Sequence, residues 1–240
     1  MLDGPDVSVM LQGGVRSHAQ AMDFVRWFAD AWAGRPLQRE DGCPEEELAA
    51  AEADLGFGLP AALRAGYALF GRRHDLTRRQ DPLVRPAGLH VDEALGGVLV
   101  FRRENQDCAS WGIPLTRIEQ EDPPVLVESG QDWIPFLERT SVAWVELVLS
   151  EFLFGSNGHY DACELPDPLL PALHSGYLRV DLPDHPMWAS EEDSPVRWYS
   201  APGRLVRRDG VQDQSWIHAR GRTSADLERI RGDLPGPWVR

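Results

Sequence analysis

Apolar residues near the start of the chain recur at helical spacing. In residues 19–34, AQAMDFVRWFADAWAG, apolar positions repeat every three or four residues on several faces. Ser17 and Gln20 form a capping-box pattern ahead of this stretch, and Gly34 follows its last apolar position. The pattern predicts a first helix that is buried on more than one side.

Two shorter helical patterns flank the turn FGLP at residues 57–60. Residues 43–56, CPEEELAAAEADLG, carry one apolar stripe. Pro44 suits a first helical position, and the three glutamates after it would face the positive end of the helix dipole. Residues 60–71, PAALRAGYALFG, repeat the spacing and end at a glycine. Two short helices are therefore predicted, followed by a loop-like stretch up to residue 97.

The apolar spacing changes to that of a sheet after Gly97. Residues 98–101, VLVF, are apolar on both faces, as in an interior strand, and residues 110–113 are typical of its partner. The sequence ENQDCA, residues 104–109, lies at the join and is predicted to be a hairpin tip. Asn and Gln suit such a turn.

Further elements predict an α+β fold with a mainly antiparallel sheet packed against several helices. PVLVE at residues 124–128 predicts a strand, and residues 140–155 predict an amphipathic helix. After residue 156, strand patterns occur in YLRVDL, VRWYS, GRLVR and SWIHA, and Thr223 with Asp226 caps a last helix. We expect one domain over residues 1–155 and an α+β extension over residues 156–240. This extension either packs on the same sheet or forms a small appendage.

The charge of the chain favours a basic partner. Thirty-eight acidic residues against 24 basic ones give a net charge of -14, so the averaged field repels nucleic acid and anionic membranes. All the basic residues counted here are arginines, which excludes lysine catalysis. The three cysteines are far apart, which supports neither a disulfide framework nor a thiolate zinc site.

A cytoplasmic location is expected. The amino terminus shows no secretion-signal pattern. The most apolar segment, residues 142–154, contains Glu146 and Glu151 and is shorter than the roughly 20 residues needed to cross a bilayer.

Five arginines crowd into residues 72–85, RRHDLTRRQDPLVR. They are Arg72, Arg73, Arg78, Arg79 and Arg85. A nucleic-acid patch is one interpretation. No aromatic residue interleaves with them and the surrounding chain is acidic, so surface arginines paired with neighbouring carboxylates are favoured.

Other candidate chemistry has an ordinary structural alternative in each case. Paired carboxylates, Glu104 with Asp107 or Glu119 with Glu121 and Asp122, could perform acid-base work but are also typical of solvated turns. HYDACE, with alternating His159, Asp161 and Cys163, could bind a metal or form a surface loop.

Five tryptophans could line a ligand pocket or pack in the core, and packing is favoured. They are Trp111, Trp133, Trp188, Trp198 and Trp216. No nucleotide-binding, nucleophile-elbow or HExxH motif occurs, so we expect no metal and no catalytic residue.

Three blocks in order resemble the SMI1/KNR4 (SUKH) superfamily over about residues 45–155. They are EEELAAAEADLGFGLPAALRAGYALFG, VLVFRRENQDCASWGIPL, and EDPPVLVE with the helix after it. The resemblance implies an α+β protein-binding module without a cofactor. Many bacterial members are immunity proteins that neutralise polymorphic toxins, often nucleases, and others are regulatory or scaffold proteins. The first predicted helix and the part after residue 156 lie outside the resemblance.

The expected function is therefore stoichiometric binding of a basic protein partner, such as a toxin domain. A regulatory or scaffold protein, a carboxylate-based hydrolase and a small-ligand module are the alternatives. The residues expected to contact the partner supply charge, amides and one aromatic anchor. They are Glu104, Asn105, Gln106, Asp107, Trp111, Glu119, Glu121 and Asp122.

Overall fold

The chain folds into two compact α+β units. The computed structural model describes residues 6–129, 132–155, 159–165, 167–187, 195–211 and 214–239. Within these residues there are eight α-helices and two antiparallel five-stranded sheets, which confirms the predicted fold class. We call Val15–Phe152 the central unit, and Met1–Gly14 together with Leu153–Arg240 the terminal unit.

The sheet of the central unit is a meander in which each strand pairs with the next along the chain. Its strands are β1 (His90–Asp92), β2 (Val98–Arg103), β3 (Ser110–Pro114), β4 (Val125–Ser129) and β5 (Asp132–Leu137). Strands β2, β3 and β4 confirm the predictions, whereas β1 and β5 were not predicted. β5 contains Pro135, which a sheet tolerates because β5 is an edge strand.

The helices of the central unit begin and end close to the predicted positions. They are α2 (His18–Ala31), α3 (Glu45–Leu55), α4 (Ala61–Phe70), α5 (His74–Thr77) and α6 (Thr140–Leu153). The Ser17 side chain accepts a hydrogen bond from the Gln20 amide, which confirms the predicted cap of α2. Gly56 ends α3 with a positive φ of 79°, which a side chain would disfavour. The stretch predicted as a loop before residue 97 contains α5 and β1.

Trp144 of α6 lies at the centre of the core of the central unit. Its indole is fully buried, makes edge-on ring contacts with Tyr67 and Phe70, and donates a hydrogen bond to the Ala62 carbonyl at 2.9 Å. A Cβ at Gly66 would lie 2.1 Å from the same indole. Gly66 is therefore required by the close approach of α4 to α6.

The terminal unit has a sheet of its own, in the order β6-β10-β9-β8-β7. Its elements are α1 (Val7–Met10), β6 (Tyr160–Glu164), α7 (Leu170–Gly176), β7 (Leu178–Arg179), β8 (Arg197–Ala201), β9 (Arg204–Val211), β10 (Gln214–Gly221) and α8 (Ser224–Asp233). Strands β7 to β10 and the Thr223 capping box of α8 confirm the predictions. These strands pair with one another and do not continue the first sheet. One of the two predicted alternatives was that the extension joins that sheet, and the structure does not show it. The first 14 residues group with this unit.

A β-bulge in β2 brings an arginine to the helix-facing side of the central sheet. The pairing of β2 with β3 shifts between Val100 and Arg102, so that Arg102 stands opposite Trp111. Without this extra residue, strict alternation would send Arg102 to the opposite face from Phe101. Instead, the Phe101 ring contacts Trp144 of α6, and the Arg102 guanidinium donates to Glu146 of the same helix.

Arg102 is buried among three carboxylates. Its guanidinium donates to Glu146 at 2.7 Å and to Asp81 at 3.2 Å, and lies 3.9 Å from Glu151. Burial alone would lower the pKa of Arg102, but the three carboxylates outweigh burial and raise it above its usual value. Glu151 also accepts hydrogen bonds from the backbone amides of residues 79–81. One buried network thus joins β2, α6 and the segment before β1.

Replacing Arg102 should strongly destabilise the central unit. Arg102→Met would leave buried carboxylates without their cation, which lowers the free energy of unfolding by about 3–5 kcal/mol. Urea denaturation measures the change. The slope of the free energy of unfolding against urea concentration should be the same for the variant and the original chain.

The neighbouring Arg103 provides the matched control. Its guanidinium is exposed and makes only surface contacts, with Asp107 at 3.6 Å and with the His90 Nε2 at 2.9 Å, so Arg103→Met should change the free energy of unfolding by less than about 0.5 kcal/mol. Equal destabilisation by the two variants would show that the buried network does not anchor the unit.

Candidate functional site

Glu104 serves the hairpin tip internally. It is buried, and its carboxylate accepts hydrogen bonds from the amides of Gln106 at 2.6 Å and Cys108 at 3.3 Å. Its own amide donates to the Ala109 carbonyl at 2.8 Å. The tip is therefore a hairpin turn, as predicted, but this carboxylate is used to hold the turn and is not offered to a partner.

The outer residues of the tip remain exposed. Asn105, Gln106 and Asp107 are all exposed, and Asp107 adopts a positive φ of 61°. Asp tolerates this left-handed conformation better than most side chains. The tip consequently presents two amides and one carboxylate, and that carboxylate pairs weakly with Arg103.

Trp111 belongs to the core and is not a surface anchor. Its side chain is 3% exposed. The Arg102 guanidinium lies 4.4 Å above its ring, and Phe136 contacts it edge-on at 6.1 Å. The predicted aromatic contact with a partner is not available at this position.

The backbone of residues 119–123 is held by the amino ends of two helices. The Glu121 carbonyl accepts from the Ala62 amide of α4 at 2.8 Å, and the Pro123 carbonyl accepts from the Thr140 amide of α6 at 2.8 Å. The Asp122 carboxylate accepts from the Ser141 amide at 2.8 Å and the Ser141 hydroxyl at 2.6 Å. Asp122 therefore caps α6, where a negative charge also interacts favourably with the helix dipole.

Exposed acidic residues collect at this end of the central sheet. In an antiparallel meander, the segments before β2, between β3 and β4, and after β5 all lie at the same end. These segments carry Leu95, Glu119, Glu121 and Glu138, which are all exposed, and we call this set the acidic end. None of the three glutamates forms an ion pair with the part of the chain that the structure describes. Glu138 was not predicted.

Leu95 adds an apolar side chain to the acidic end. It is 64% exposed and has a φ of 53°, in the left-handed region that leucine disfavours. The turn that contains it is joined to the connection between β3 and β4, residues 115–124, which we call the acidic loop, because the Leu115 amide donates to the Gly97 carbonyl at 2.9 Å. Sequence patterns gave no signal for this residue, since both its exposure and its backbone conformation depend on the turn.

The predicted contact residues do not form one surface. The hairpin tip precedes β3 and residues 119–122 follow it, so about 17 Å of strand separates the two groups. Glu104 and the carboxylates of residues 119–122 therefore cannot act together on one bond in this structure.

HYDACE forms the edge strand β6 and not a surface loop. The Asp161 carboxylate is buried and accepts from Arg231, with an Nε to Oδ2 distance of 2.8 Å. Cys163 lies in the core, and burial raises the pKa of its thiol to about 12. No cluster of three or more potential metal ligands is found among the residues that the structure describes.

Trp111 and Trp133 of the central unit do not line a common pocket. Trp111 pairs with Val127, and Trp133 pairs with Glu128, so the two side chains lie on opposite faces of the central sheet. Trp198 is fully buried in the terminal unit, where Trp216 is half-buried. Trp188 lies outside the described residues.

The arginine-rich segment has several structural roles. Arg72 pairs with Glu47 at 2.5 Å, as expected of a surface arginine. Arg73 is instead buried, with its guanidinium 2.6 Å from Asp75 and 3.4 Å from Asp41. Arg78 and Arg85 are exposed.

A search of the described residues finds no helix with the length and hydropathy to span a membrane. Comparison of the chain with protein-family models, with curated proteins and with solved structures finds no match.

Proposed function

We propose that the chain is a non-enzymatic protein-binding module, an immunity protein that neutralises a basic toxin domain by stoichiometric binding. The observation that carries the proposal is the acidic end. There, Glu119 and Glu121 are exposed and make no ion pair with the described residues, while the backbone between them and Pro123 is fixed by α4 and α6.

Fixed, unpaired carboxylates suit such a role for two physical reasons. A partner that binds them does not have to break an existing ion pair. The loop is already ordered, so binding costs less conformational entropy than ordering a free loop would. A nuclease must present positive charge to phosphates, and the opposite field of an acidic protein accelerates the encounter.

Leu95 can supply the apolar contact that Trp111 does not. An apolar side chain in a disfavoured backbone conformation costs roughly 1–2 kcal/mol, and such strain is often retained at binding sites. At the acidic end it would be covered by the same partner that pairs with Glu119 and Glu121. We therefore infer that the partner has a small apolar depression within a basic surface.

The resemblance to the SMI1/KNR4 superfamily and the net charge of -14 support the same function. A regulatory or scaffold protein of that superfamily would use an acidic binding surface too. The partner distinguishes the two, because an immunity protein binds a toxin and protects against it.

The direct test identifies the gene next to this one and, where that gene encodes a toxin-like protein, uses that protein as the candidate partner. Co-expression should restore growth of cells that express this toxin, and the two proteins should purify together in equal amounts. If the neighbouring protein neither binds the chain nor is neutralised by it, the immunity function is wrong.

Charge reversal at the acidic end should slow binding. The double variant Glu119→Lys and Glu121→Lys should reduce the association rate constant at low salt by about tenfold or more and flatten its dependence on ionic strength. Stopped-flow fluorescence over a salt series provides both measurements.

A matched variant at the other end of the sheet changes the net charge by the same amount. Asp107→Lys with Asp132→Lys should alter the rate by less than about threefold, since these exposed carboxylates are more than a Debye length from the acidic end. A larger effect of this second pair would place the binding surface at the hairpin tip and contradict the proposed one.

Leu95→Asn should separate binding from stability. Asn tolerates a positive φ, so the free energy of unfolding should rise by about 1 kcal/mol. Affinity for the partner should fall about tenfold, because a buried leucine contact is lost. Thermal denaturation and isothermal titration calorimetry measure the two changes. The control is Leu178→Asn, at a leucine of the terminal unit that is 63% exposed, and it should leave the affinity unchanged.

A further inference from the structure

A cleft of about 290 Å³ opens on the central unit beside the arginine-rich segment. It lies where the amino end of α3 and the residues after α4 approach the segment from His74 to Pro86. Its charged and polar lining consists of Cys43, Glu47, Arg72, His74, Arg78 and Arg85. We call it the arginine cleft.

The arginine cleft holds an excess of positive charge. Arg72 is neutralised by Glu47 at 2.5 Å. The guanidinium groups of Arg78 and Arg85 make no hydrogen bond or ion pair with any described residue. Two free cations therefore face one cleft in a chain whose net charge is -14.

The backbone that carries these two arginines is fixed. Glu151 accepts from the amides of residues 79–81, immediately after Arg78. The Leu83 amide donates to the Thr77 carbonyl at 2.7 Å, and the Tyr67 hydroxyl donates to the Val84 carbonyl at 2.7 Å. The positions of both Cα atoms are thus set before any ligand arrives, which lowers the entropic cost of binding.

We propose that the arginine cleft binds a small molecule bearing a phosphate monoester, of about the size of a mononucleotide. A phosphate monoester carries a charge of about -1.5 to -2 at neutral pH, which two guanidiniums balance. Each guanidinium can donate two parallel hydrogen bonds to phosphate oxygens. The cleft volume is close to the lower limit of about 300 Å³ for small-molecule sites, which suits one nucleotide better than a nucleic-acid strand.

The thiol at the edge of the cleft does not oppose this ligand. Burial, with a smaller contribution from Glu47, raises the pKa of the Cys43 thiol to about 11. Cys43 is therefore neutral at physiological pH and adds no negative charge. The neutral thiol is also a poor nucleophile, so we expect reversible binding.

Calorimetric titration of the full chain with adenosine 5′-monophosphate, inorganic phosphate and adenosine tests the proposal. At low salt the monophosphate should bind saturably with one site per chain, and adenosine alone should not bind. Weaker binding of inorganic phosphate at the same site would show that the rest of the ligand contributes, and equal binding would show that the phosphate group suffices. The proposal would be overturned if neither the monophosphate nor inorganic phosphate bound with a Kd below about 10 mM. That Kd corresponds to a binding free energy of about -2.7 kcal/mol.

A matched pair of variants distinguishes the cleft from general attraction by arginine. Arg78→Ala with Arg85→Ala should weaken the affinity for the monophosphate at least tenfold. Arg39→Ala with Arg117→Ala removes the same charge at two other exposed arginines and should leave the affinity within twofold. Equal losses would contradict a defined site.

Competition with a single-stranded oligonucleotide separates the small ligand from a nucleic acid. The oligonucleotide should not displace the monophosphate at equal phosphate concentration. Displacement that weakens steeply with salt would mean that the cleft belongs to a polyanion-binding surface, and the small-molecule proposal would be wrong.

Discussion

The central unit depends on one buried guanidinium surrounded by carboxylates. Removing charges from water is costly, and Arg102 is tolerated in the core only because Glu146, Asp81 and Glu151 surround it with hydrogen bonds or ion pairs. These groups come from β2, from α6 and from the segment before β1, so they can meet in only one arrangement of the three. The network therefore favours one mutual placement of the three segments, and Trp144 is among the largest fully buried side chains of the apolar core beside it.

Helix α6 links this network to both proposed binding surfaces. Its amino end is capped by Asp122 and carries the acidic loop, and Glu151 near its carboxyl end holds the amides of residues 79–81 beside the arginine cleft. This arrangement agrees with the helix dipole, which favours negative charge at the amino end and positive charge at the carboxyl end. Exposed carboxylates thus lie near the amino end of α6 and the two free arginines near its carboxyl end, although the net charge of the chain has a single sign.

The sequence predicted the elements that depend on local spacing, but not the positions of the chemically important side chains. Helices α2, α3, α4 and α6 were recognisable because their caps and stripes lie within a few residues of one another. Trp111 and Glu104 were expected at the surface. Trp111 is buried because the bulge in β2 places Arg102 above its ring. Glu104 is buried because its carboxylate turns back and accepts hydrogen bonds from its own hairpin. Both outcomes depend on contacts across strands, which periodicity does not record. The two glutamates in the apolar helix α6 were a visible signal of a buried cation, but the sequence did not identify the arginine that pairs with them.

The acidic end and the arginine cleft are electrostatically independent under physiological conditions. Ser141, which binds the acidic loop, and Glu151, which binds the arginine segment, are ten residues apart, or about 15 Å along α6. This separation is about twice the Debye length of roughly 8 Å at physiological ionic strength. Neutralising the two free arginines of the cleft would therefore change the potential at Glu119 and Glu121 very little. Any influence of a bound anion on the binding of a basic protein would pass through α4 and α6, which contact both surfaces, and the buried Arg102 network resists movement of α6.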